Sequence, residues 1–230
     1  MSVVALVPAA GRGERLGYGM PKALVPVNGV PLLAHAVRGL FASGCVQHVV
    51  IAAPPSDVEA VNSVTAPLAP ASGALHVVAG GAERTDSVRL ALEHALREIP
   101  DIRIVLVHDA ARAFTPPDVV RGVVKAVEAG NGAVIPVLPL SDTVKQVDEA
   151  GVVVATPDRA RLRVVQTPQG FDAGLLQRAH RSGASATDDA GLVERLGVPV
   201  MTVPGHPNAM KITTPFDLAV AEALLSGGNP

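Results

Sequence analysis

The sequence predicts an α/β fold in which helices cover both faces of a mostly parallel sheet, with an inserted β-arm at about residues 138–166. Short branched-aliphatic runs recur along the chain, and stretches with apolar residues at three- and four-residue spacing lie between them. Strands and helices that alternate in this way form βαβ units. A long helical pattern is missing from Leu138 to about Gln166, and this gap predicts the arm. We expect residues 1–230 to form one domain.

The strands are predicted where the chain is apolar throughout, as in strands that are buried on both faces of a sheet. They are Val3–Val7, Val49–Ala52, His76–Ala79, Ile104–Val107 and Ala133–Ile135. Ligands of such sheets bind outside the carboxyl ends of the strands. The loops that follow these runs are therefore the candidate functional segments.

Helices are predicted between the strands, on apolar residues that share one helix face. They cover Leu32–Phe41, Val88–Leu96, about 117–129 and about 217–225. Asp86 is a candidate cap for the second of them, and Thr187 is a candidate cap for a further helix with Asp188 and Asp189 in its first turn.

The arm contains two β-like runs, Thr143–Val147 and Gly151–Ala155, which predict a hairpin. An isolated two-stranded hairpin is only marginally stable in water. We therefore expect the arm to pack against a partner subunit.

Composition excludes several classes of protein. The single cysteine, Cys45, rules out a disulfide framework and suits the cytoplasm. A formal net charge of −2 and an aromatic content of four Phe, one Tyr and no Trp argue against a nucleic-acid partner. No apolar run approaches the ~20 residues of a membrane helix, and the first residues lack the basic start of a signal peptide.

The loop after the first predicted strand has the composition of a phosphate-binding loop. It reads Pro-Ala-Ala-Gly-Arg-Gly-Glu-Arg over residues 8–15, and Pro21-Lys22 follow. Small residues allow backbone N–H groups to approach a phosphate chain, while Arg15 and Lys22 add positive charge. Leu16 does not fit the dinucleotide-binding fingerprint, and Lys22 lacks the neighbours of a Walker A motif.

Two further loops point to the same kind of ligand. Gly80-Gly81 follow the third strand and Ser87 comes after them, which places backbone N–H groups and a hydroxyl at the carboxyl edge of the predicted sheet. The fourth strand ends in His108-Asp109-Ala110-Ala111-Arg112, and a carboxylate three residues from a guanidinium suits a polyphosphate site. We interpret His108 as a packing residue rather than a ligand. Lys211 lies in an otherwise apolar segment, which is unusual for a lysine inside a strand.

These motifs, in this order, resemble the cytidylyltransferases of the non-mevalonate isoprenoid pathway, whose substrate is 2-C-methyl-D-erythritol 4-phosphate. The resemblance runs from Val4 to about Leu224 and includes Thr167-Pro168-Gln169 and Lys211-Ile212-Thr213 besides the loops above. It implies a Rossmann-like three-layer α/β/α domain of the nucleotide-diphospho-sugar transferase type. It also implies a homodimer that is clasped through the 138–166 arm.

The resemblance assigns roles residue by residue. It implies a nucleotide-binding group consisting of Ala9, Ala10, Gly11, Gly13, Gly81, Ala82, Ser87 and Ala110, although Ala82 stands where relatives often have an acid. It implies a catalytic group consisting of Arg15, Lys22, Lys211 and, from the neighbouring subunit, Arg159. Asp109, Arg112, Thr143 and Thr167 would bind the sugar phosphate.

The residues themselves favour phosphate attack on phosphorus. The loops offer cations without an evident general base, and a phosphate monoester with a second pKa near ~6 is already nucleophilic at neutral pH. We therefore expect transfer of the cytidylyl group of CTP, with Mg²⁺ on the triphosphate and pyrophosphate as the leaving group. The direct ligands of the metal remain unassigned.

Other interpretations stay open at this point. A cytidylyltransferase for ribitol 5-phosphate would share the first-strand and His-Asp-Ala-Ala-Arg motifs. A sugar nucleotidyltransferase for another base, or a glycosyltransferase, is more distant, because Ala111 interrupts an Asp-x-Asp metal motif. A non-catalytic nucleotide sensor would be expected to lose the phosphate-facing cations that this chain retains.

Overall fold

The structure, a computed structural model, describes residues 2–11, 19–184 and 186–226. The strands of this part are β1 (Ser2–Pro8), β2 (Pro26–Val27), β3 (Val30–Pro31), β4 (His48–Ala53), β5 (Ala74–Ala79), β6 (Ile102–Val107), β7 (Ala133–Pro139), β8 (Gln146–Val147), β9 (Val153–Ala155), β10 (Arg163–Val165), β11 (Gln169–Asp172) and β12 (Met201–Pro204). The α-helices are α1 (Leu32–Ala42), α2 (Val58–Thr65), α3 (Arg84–Glu98), α4 (Pro117–Glu128), α5 (Ala173–Arg181), α6 (Asp189–Glu194) and α7 (Pro215–Ser226).

An eight-stranded, mostly parallel sheet forms the centre of the fold. Its order is β10-β7-β11-β6-β1-β4-β5, and β12 pairs with β7. The strand β1 runs parallel to β4 and β6, and β4 runs parallel to β5. The carboxyl ends of these four strands therefore meet at one edge. In contrast, β11 is antiparallel to both of its neighbours, β6 and β7.

Helices cover both faces of the sheet, and successive side chains of β1 pack alternately against the helices on one face and on the other. Val4 and Leu6 belong to a core cluster with α3, α5 and α6. Ala5 and Val7 belong to a second cluster with α1 and α4 on the opposite face. This arrangement confirms the predicted three-layer fold. None of the helices in the described part combines the length and apolar content needed to cross a bilayer.

The predicted strands and helices are confirmed, with corrections at two helix starts. Asp86 lies in the first turn of α3 and does not cap it, since the helix begins after Glu83. Thr187 is not the cap of α6 either. Asp188 has an extended backbone, and its carboxylate accepts the Gly191 N–H at 2.9 Å.

The hairpin predicted in the arm is present as β8 and β9, which pair antiparallel and are shorter than the two predicted runs. Its turn is held by the Asp148 carboxylate, which accepts N–H bonds from Ala150 and Val152. The arm leaves large apolar side chains exposed, and Val147, Val152, Val153 and Val154 are each more than half exposed. The homodimer predicted through this arm stays a prediction.

Candidate active site

A cavity of about 480 Å³ opens at the carboxyl edge of the sheet, where the strand-exit loops converge. It is lined by residues from the loops after β1, β5 and β6 and from the segment before α7. The lining residues are Pro8, Ala9, Ala10, Gly11, Lys22, Ala23, Gly81, Ala82, Glu83, Arg84, Ser87, Asp109, Ala110, Ala111, Lys211 and Thr213. The described members of the predicted nucleotide group all lie here, and Gly13 lies outside the described residues.

The glycine pair after β5 allows two loops of the cavity to approach each other closely. A Cβ on Gly80 would lie 3.0 Å from Ala10 Cβ and 2.9 Å from Ser87 Oγ. A Cβ on Gly81 would lie 2.3 Å from Asp86 Cβ. The Ser87 hydroxyl accepts the Gly81 N–H at 3.2 Å and donates to the Glu83 carbonyl at 3.0 Å. Ser87 therefore fixes the loop as well as lining the cavity.

Lys22 also lines the cavity, on a short 3-10 turn over Lys22–Leu24. Its backbone N–H donates to the Gly11 carbonyl at 3.3 Å, which joins the two ends of the loop that follows β1. Buried Ala23 anchors the turn on the core. Arg15, the other cation predicted on this loop, lies outside the described residues.

The Asp109 carboxylate lies between two cations. Arg84 Nε donates to its Oδ1 at 3.1 Å, and Lys211 Nζ is 2.8 Å from its Oδ2. Burial alone would raise the pKa of Asp109, but the charges of Arg84 and Lys211 outweigh it and hold that pKa well below its ordinary range. Asp109 is therefore ionised at neutral pH and a weak proton acceptor.

Thr167 reaches the same strand end from the turn before β11. Its hydroxyl accepts the Asp109 N–H at 3.1 Å and lies 3.1 Å from His108 Nδ1. Burial lowers the pKa of His108 to about 4, so that its imidazole is neutral at neutral pH. Within the chain, His108 therefore acts as a satisfied packing residue, and Thr167 supports Asp109 from behind the cavity.

Arg112 supports the loops of the site through backbone carbonyls. Its Nη1 donates to the Ala209 carbonyl at 2.7 Å, and its Nη2 donates to the Val165 carbonyl at 3.1 Å. In this structure its guanidinium does not line the cavity. Its predicted contact with the sugar phosphate remains a prediction.

Lys211 lies in an irregular segment, so the suggestion that it occupies a strand is wrong. The buried side chains of Ala209 and Ile212 anchor the segment on either side of it. In addition, the Ile212 N–H donates to the Ala111 carbonyl at 2.9 Å. This anchoring directs the Lys211 ammonium toward Asp109.

The arm residues do not reach the cavity of their own chain. Thr143 is exposed, and neither Thr143 nor Arg159 lines the cavity. Arg159 Nη1 donates to the Ser141 carbonyl at 2.6 Å within the arm. The contribution of Arg159 and Thr143 from a neighbouring subunit stays a prediction.

Sequence reasoning missed the role of Arg84 and of the residues behind it. Arg84 joins Asp109 to Asp189, and its Nη1 donates to Asp189 Oδ2 at 2.7 Å. His180 Nε2 lies 3.0 Å from the other oxygen of Asp189. Arg84 lies between Gly81 and Ser87, in a loop that the sequence singles out, but its position alone does not show which carboxylates it contacts. The sequence predicts Asp189 only as an ordinary acid in the first turn of a helix. Its burial was the missing information.

Comparison with known proteins identifies relatives along nearly the whole chain. A family model described as IspD, 2-C-methyl-D-erythritol 4-phosphate cytidylyltransferase, matches residues 3–227. A protein of that name from Saccharopolyspora erythraea is 67% identical over 227 residues, which cover 98% of this chain and 100% of the relative. One from Nocardia farcinica is 58% identical over 224 residues, covering 97% and 94% of the two chains.

Solved structures show the same fold. The 2-C-methyl-D-erythritol 4-phosphate cytidylyltransferase from Thermus thermophilus superposes with a TM-score of 0.78 at 38% identity, over 98% of this chain and all of that one. The 4-diphosphocytidyl-2C-methyl-D-erythritol synthase from Anaerococcus prevotii gives 0.83 at 26% identity, over 98% of each chain.

The mostly parallel sheet, the cation-lined cavity at its carboxyl edge and these relatives define the chain as a nucleotidyltransferase. Within that class, it belongs to the 2-C-methyl-D-erythritol 4-phosphate cytidylyltransferase family.

Proposed function

We propose that this protein transfers the cytidylyl group of CTP to 2-C-methyl-D-erythritol 4-phosphate, in the biosynthesis of isoprenoid precursors. The products are 4-diphosphocytidyl-2-C-methyl-D-erythritol and pyrophosphate. The family match supports the substrates. The observation that carries the chemistry is the cavity itself, where Lys22 and Lys211 line a space that is also bounded by small residues.

The geometry fits attack by a phosphate oxygen. An oxygen of the 4-phosphate forms a bond to the α-phosphorus, the bond from that phosphorus to the bridging oxygen breaks, and pyrophosphate leaves with the electron pair. The attacking phosphate is largely dianionic at neutral pH, so no proton has to be removed. The site is consistent with this, because Asp109 is held by two cations and His108 is buried against Thr167. One further carboxylate, that of Glu83, is among the described residues that line the cavity.

Within this proposal, Lys22 and Arg15 neutralise the charge that develops on the α-phosphate and on the leaving group. Small residues after β1 and β5 surround the nucleotide. Asp109 and Lys211 face the acceptor side, with Thr167 and Arg112 behind them. This arrangement depends on positioning and electrostatics rather than on a covalent intermediate.

We assign Mg²⁺ to the substrate, as the ion that accompanies CTP. Arg84 and Lys211 contact the two oxygens of Asp109. Among the residues that the structure describes, no group of three or more His, Cys, Asp or Glu side chains could hold a metal. Mg²⁺ that accompanies a nucleotide is held largely by the substrate's phosphate oxygens and by water rather than by a cage of protein side chains.

We also propose a cytoplasmic homodimer in which the arm of one subunit completes the cavity of the other. The exposed valines of the hairpin support this assembly, because they are left uncovered in one chain. Arg159 and Thr143 would reach the acceptor side of the partner's cavity. The single cysteine suits a reducing compartment.

The test is pyrophosphate release with CTP and Mg²⁺, measured in parallel with methylerythritol 4-phosphate and ribitol 5-phosphate. A strong preference for the first acceptor supports the proposal. A preference for ribitol 5-phosphate would reassign the acceptor and leave the phosphate chemistry intact. Tight CTP binding without pyrophosphate release in the presence of either acceptor would indicate a nucleotide sensor and overturn the proposal.

A further inference from the structure

Asp189 is a buried carboxylate directly behind the cavity. It is 1% exposed, and it lies at the start of the short helix α6. Both of its oxygens have partners, since Arg84 Nη1 donates to Oδ2 at 2.7 Å and His180 Nε2 is 3.0 Å from Oδ1. A buried charge is costly unless it is paired. This carboxylate is therefore placed to hold its partners rather than to meet solvent.

Arg84 connects Asp189 to the site. One guanidinium uses Nη1 for Asp189 and Nε for Asp109, at 2.7 Å and 3.1 Å. Because the guanidinium is planar and rigid, fixing its Nη1 also fixes the direction of its Nε. Asp189, which does not line the cavity, is thus connected to the Asp109 carboxylate through one guanidinium.

Asp189 is itself held from both sides. The preceding residue, Asp188, caps α6 and accepts a bond from Gln169 Nε2 at 2.7 Å. The following residue, Ala190, donates its N–H to Gln169 Oε1 at 3.0 Å. Gln169 is buried in the central sheet. The carboxylate is therefore fixed to the rigid core, which a positioning role requires.

We propose that Asp189 is a positioning residue for the transfer reaction, which holds Arg84 and through it keeps the Asp109 carboxylate beside Lys211 on the acceptor side of the cavity. This inference rests on the proposed function. His180 completes it by occupying the second Asp189 oxygen. Without the Asp189 charge, Arg84 loses the contact that fixes its Nη1, and the direction of its Nε toward Asp109 is no longer set.

The central test is Asp189→Asn, which keeps the side-chain size and removes the charge. We expect kcat/KM for the polyol phosphate to fall roughly 10- to 100-fold, by analogy with the loss of groups that orient metal-binding side chains. We expect the Kd for CTP, measured without acceptor, to stay within about two-fold, because Asp189 does not line the cavity. The matched control is Asp118→Asn, which removes an exposed acid that pairs with Arg121 on α4.

A double-mutant cycle separates positioning from a general structural effect. If Asp189 acts through Arg84, Asp189→Asn causes no further loss of kcat/KM in an Arg84→Met background. An equal loss in both backgrounds would overturn the inference, as would an Asp189→Asn enzyme with wild-type kcat/KM. The wild-type turnover reports on the proposed function separately, because the inference is judged on ratios between variants.

If Asp189→Asn does not fold, Arg84→Lys decides the question. A lysine keeps the positive charge but cannot bridge two carboxylates as a planar fork does. We expect it to lower kcat/KM for the polyol phosphate by a factor similar to that expected for Asp189→Asn, because the bridge between Asp109 and Asp189 is lost. An Arg84→Lys enzyme with wild-type kinetics would overturn the inference.

Discussion

The Asp109 backbone N–H donates a 3.1 Å hydrogen bond to Thr167 Oγ1, which ties the end of β6 to the turn before β11. The same hydroxyl lies 3.1 Å from His108 Nδ1. Two consecutive residues of the site loop therefore depend on one hydroxyl group that is itself buried.

Thr167→Val should weaken both the fold and the site, because it leaves the Asp109 N–H without this acceptor. We expect the free energy of unfolding to fall by about 1–3 kcal/mol. Thr167→Ser keeps the hydroxyl and loses one methyl group, which costs about 1 kcal/mol. Urea unfolding and steady-state kinetics of both variants check the prediction. If the valine and serine variants behaved alike, the hydroxyl would not have the role that we assign to it.

Lys22→Ala should lower turnover by roughly 10²–10³, as when a group that stabilises transition-state charge is lost. Pyrophosphate release at saturating substrates measures it. Lys125→Ala is the matched control, because Lys125 is exposed on α4, away from the cavity. Near-normal turnover of Lys22→Ala would remove this residue from the catalytic group.

Mixing two inactive variants tests the contribution of Arg159 across the dimer. In a heterodimer of Arg159→Ala and Lys22→Ala subunits, one cavity contains Lys22 and receives Arg159 from the other subunit. We expect purified heterodimers with differently tagged subunits to regain the activity of one complete cavity. Homodimers of each variant provide the baseline. Verified heterodimers without activity would contradict the assignment.

Gly81→Ala should distort the loop after β5, because the added Cβ would lie 2.3 Å from Asp86 Cβ. We expect a lower melting temperature and a higher KM for CTP. Gly122→Ala is the control, since a Cβ there meets nothing within 4 Å. Gly122 lies inside α4, so that alanine should stabilise the protein by roughly 0.5–1 kcal/mol. An unchanged KM for CTP in Gly81→Ala would show that the loop tolerates the side chain.

His108 should make the protein less stable as the pH falls. Burial lowers its pKa from 6.5 to about 4, so between these values the unfolded state binds a proton that the folded state does not. Its contribution is fully present above pH 6.5 and is lost as the pH falls to about 4. The loss is on the order of 3 kcal/mol.

Urea unfolding between pH 7 and pH 4.5 tests this dependence. His108→Asn, which keeps a polar group near Thr167, should flatten the decline. Other histidines with a lowered pKa, His35, His48 and His94, are present in both proteins and cancel in the comparison. Equal slopes for the two proteins would contradict the prediction.

The parallel strands could be predicted from sequence because burial on both faces leaves a direct signature. Runs such as Val3–Val7 are apolar at every position. In contrast, β11 reads Gln-Gly-Phe-Asp and carries no such pattern. It is a strand because β6 and β7 lie on either side of it, and because Gly170 lets the strand pack against Val123 of α4. Tertiary context of this kind is not visible in a short window.

The part of the site that the sequence predicts consists of residues in loops that follow strands. Lys22, Gly81, Ser87 and Asp109 converge because the ends of parallel strands meet at one edge. The partnership of Arg84 with Asp189 was not predictable, since the two residues are 105 positions apart. No local pattern distinguishes a buried acid at a helix start from an exposed one.

The register of β10 against β7 shows that both ends of the arm join the sheet at the same place. Pro139 and Arg163 are directly opposite each other on antiparallel strands, so the chain leaves the sheet and returns to it at neighbouring points. In topological terms, residues 140–162 are one long hairpin loop, and a short turn could close the same gap. A chain shortened in this way would keep the sheet and the Asp109 cluster while losing Thr143 and Arg159. Changes in the length or sequence of this loop would therefore leave the loops after β1, β5 and β6 in place.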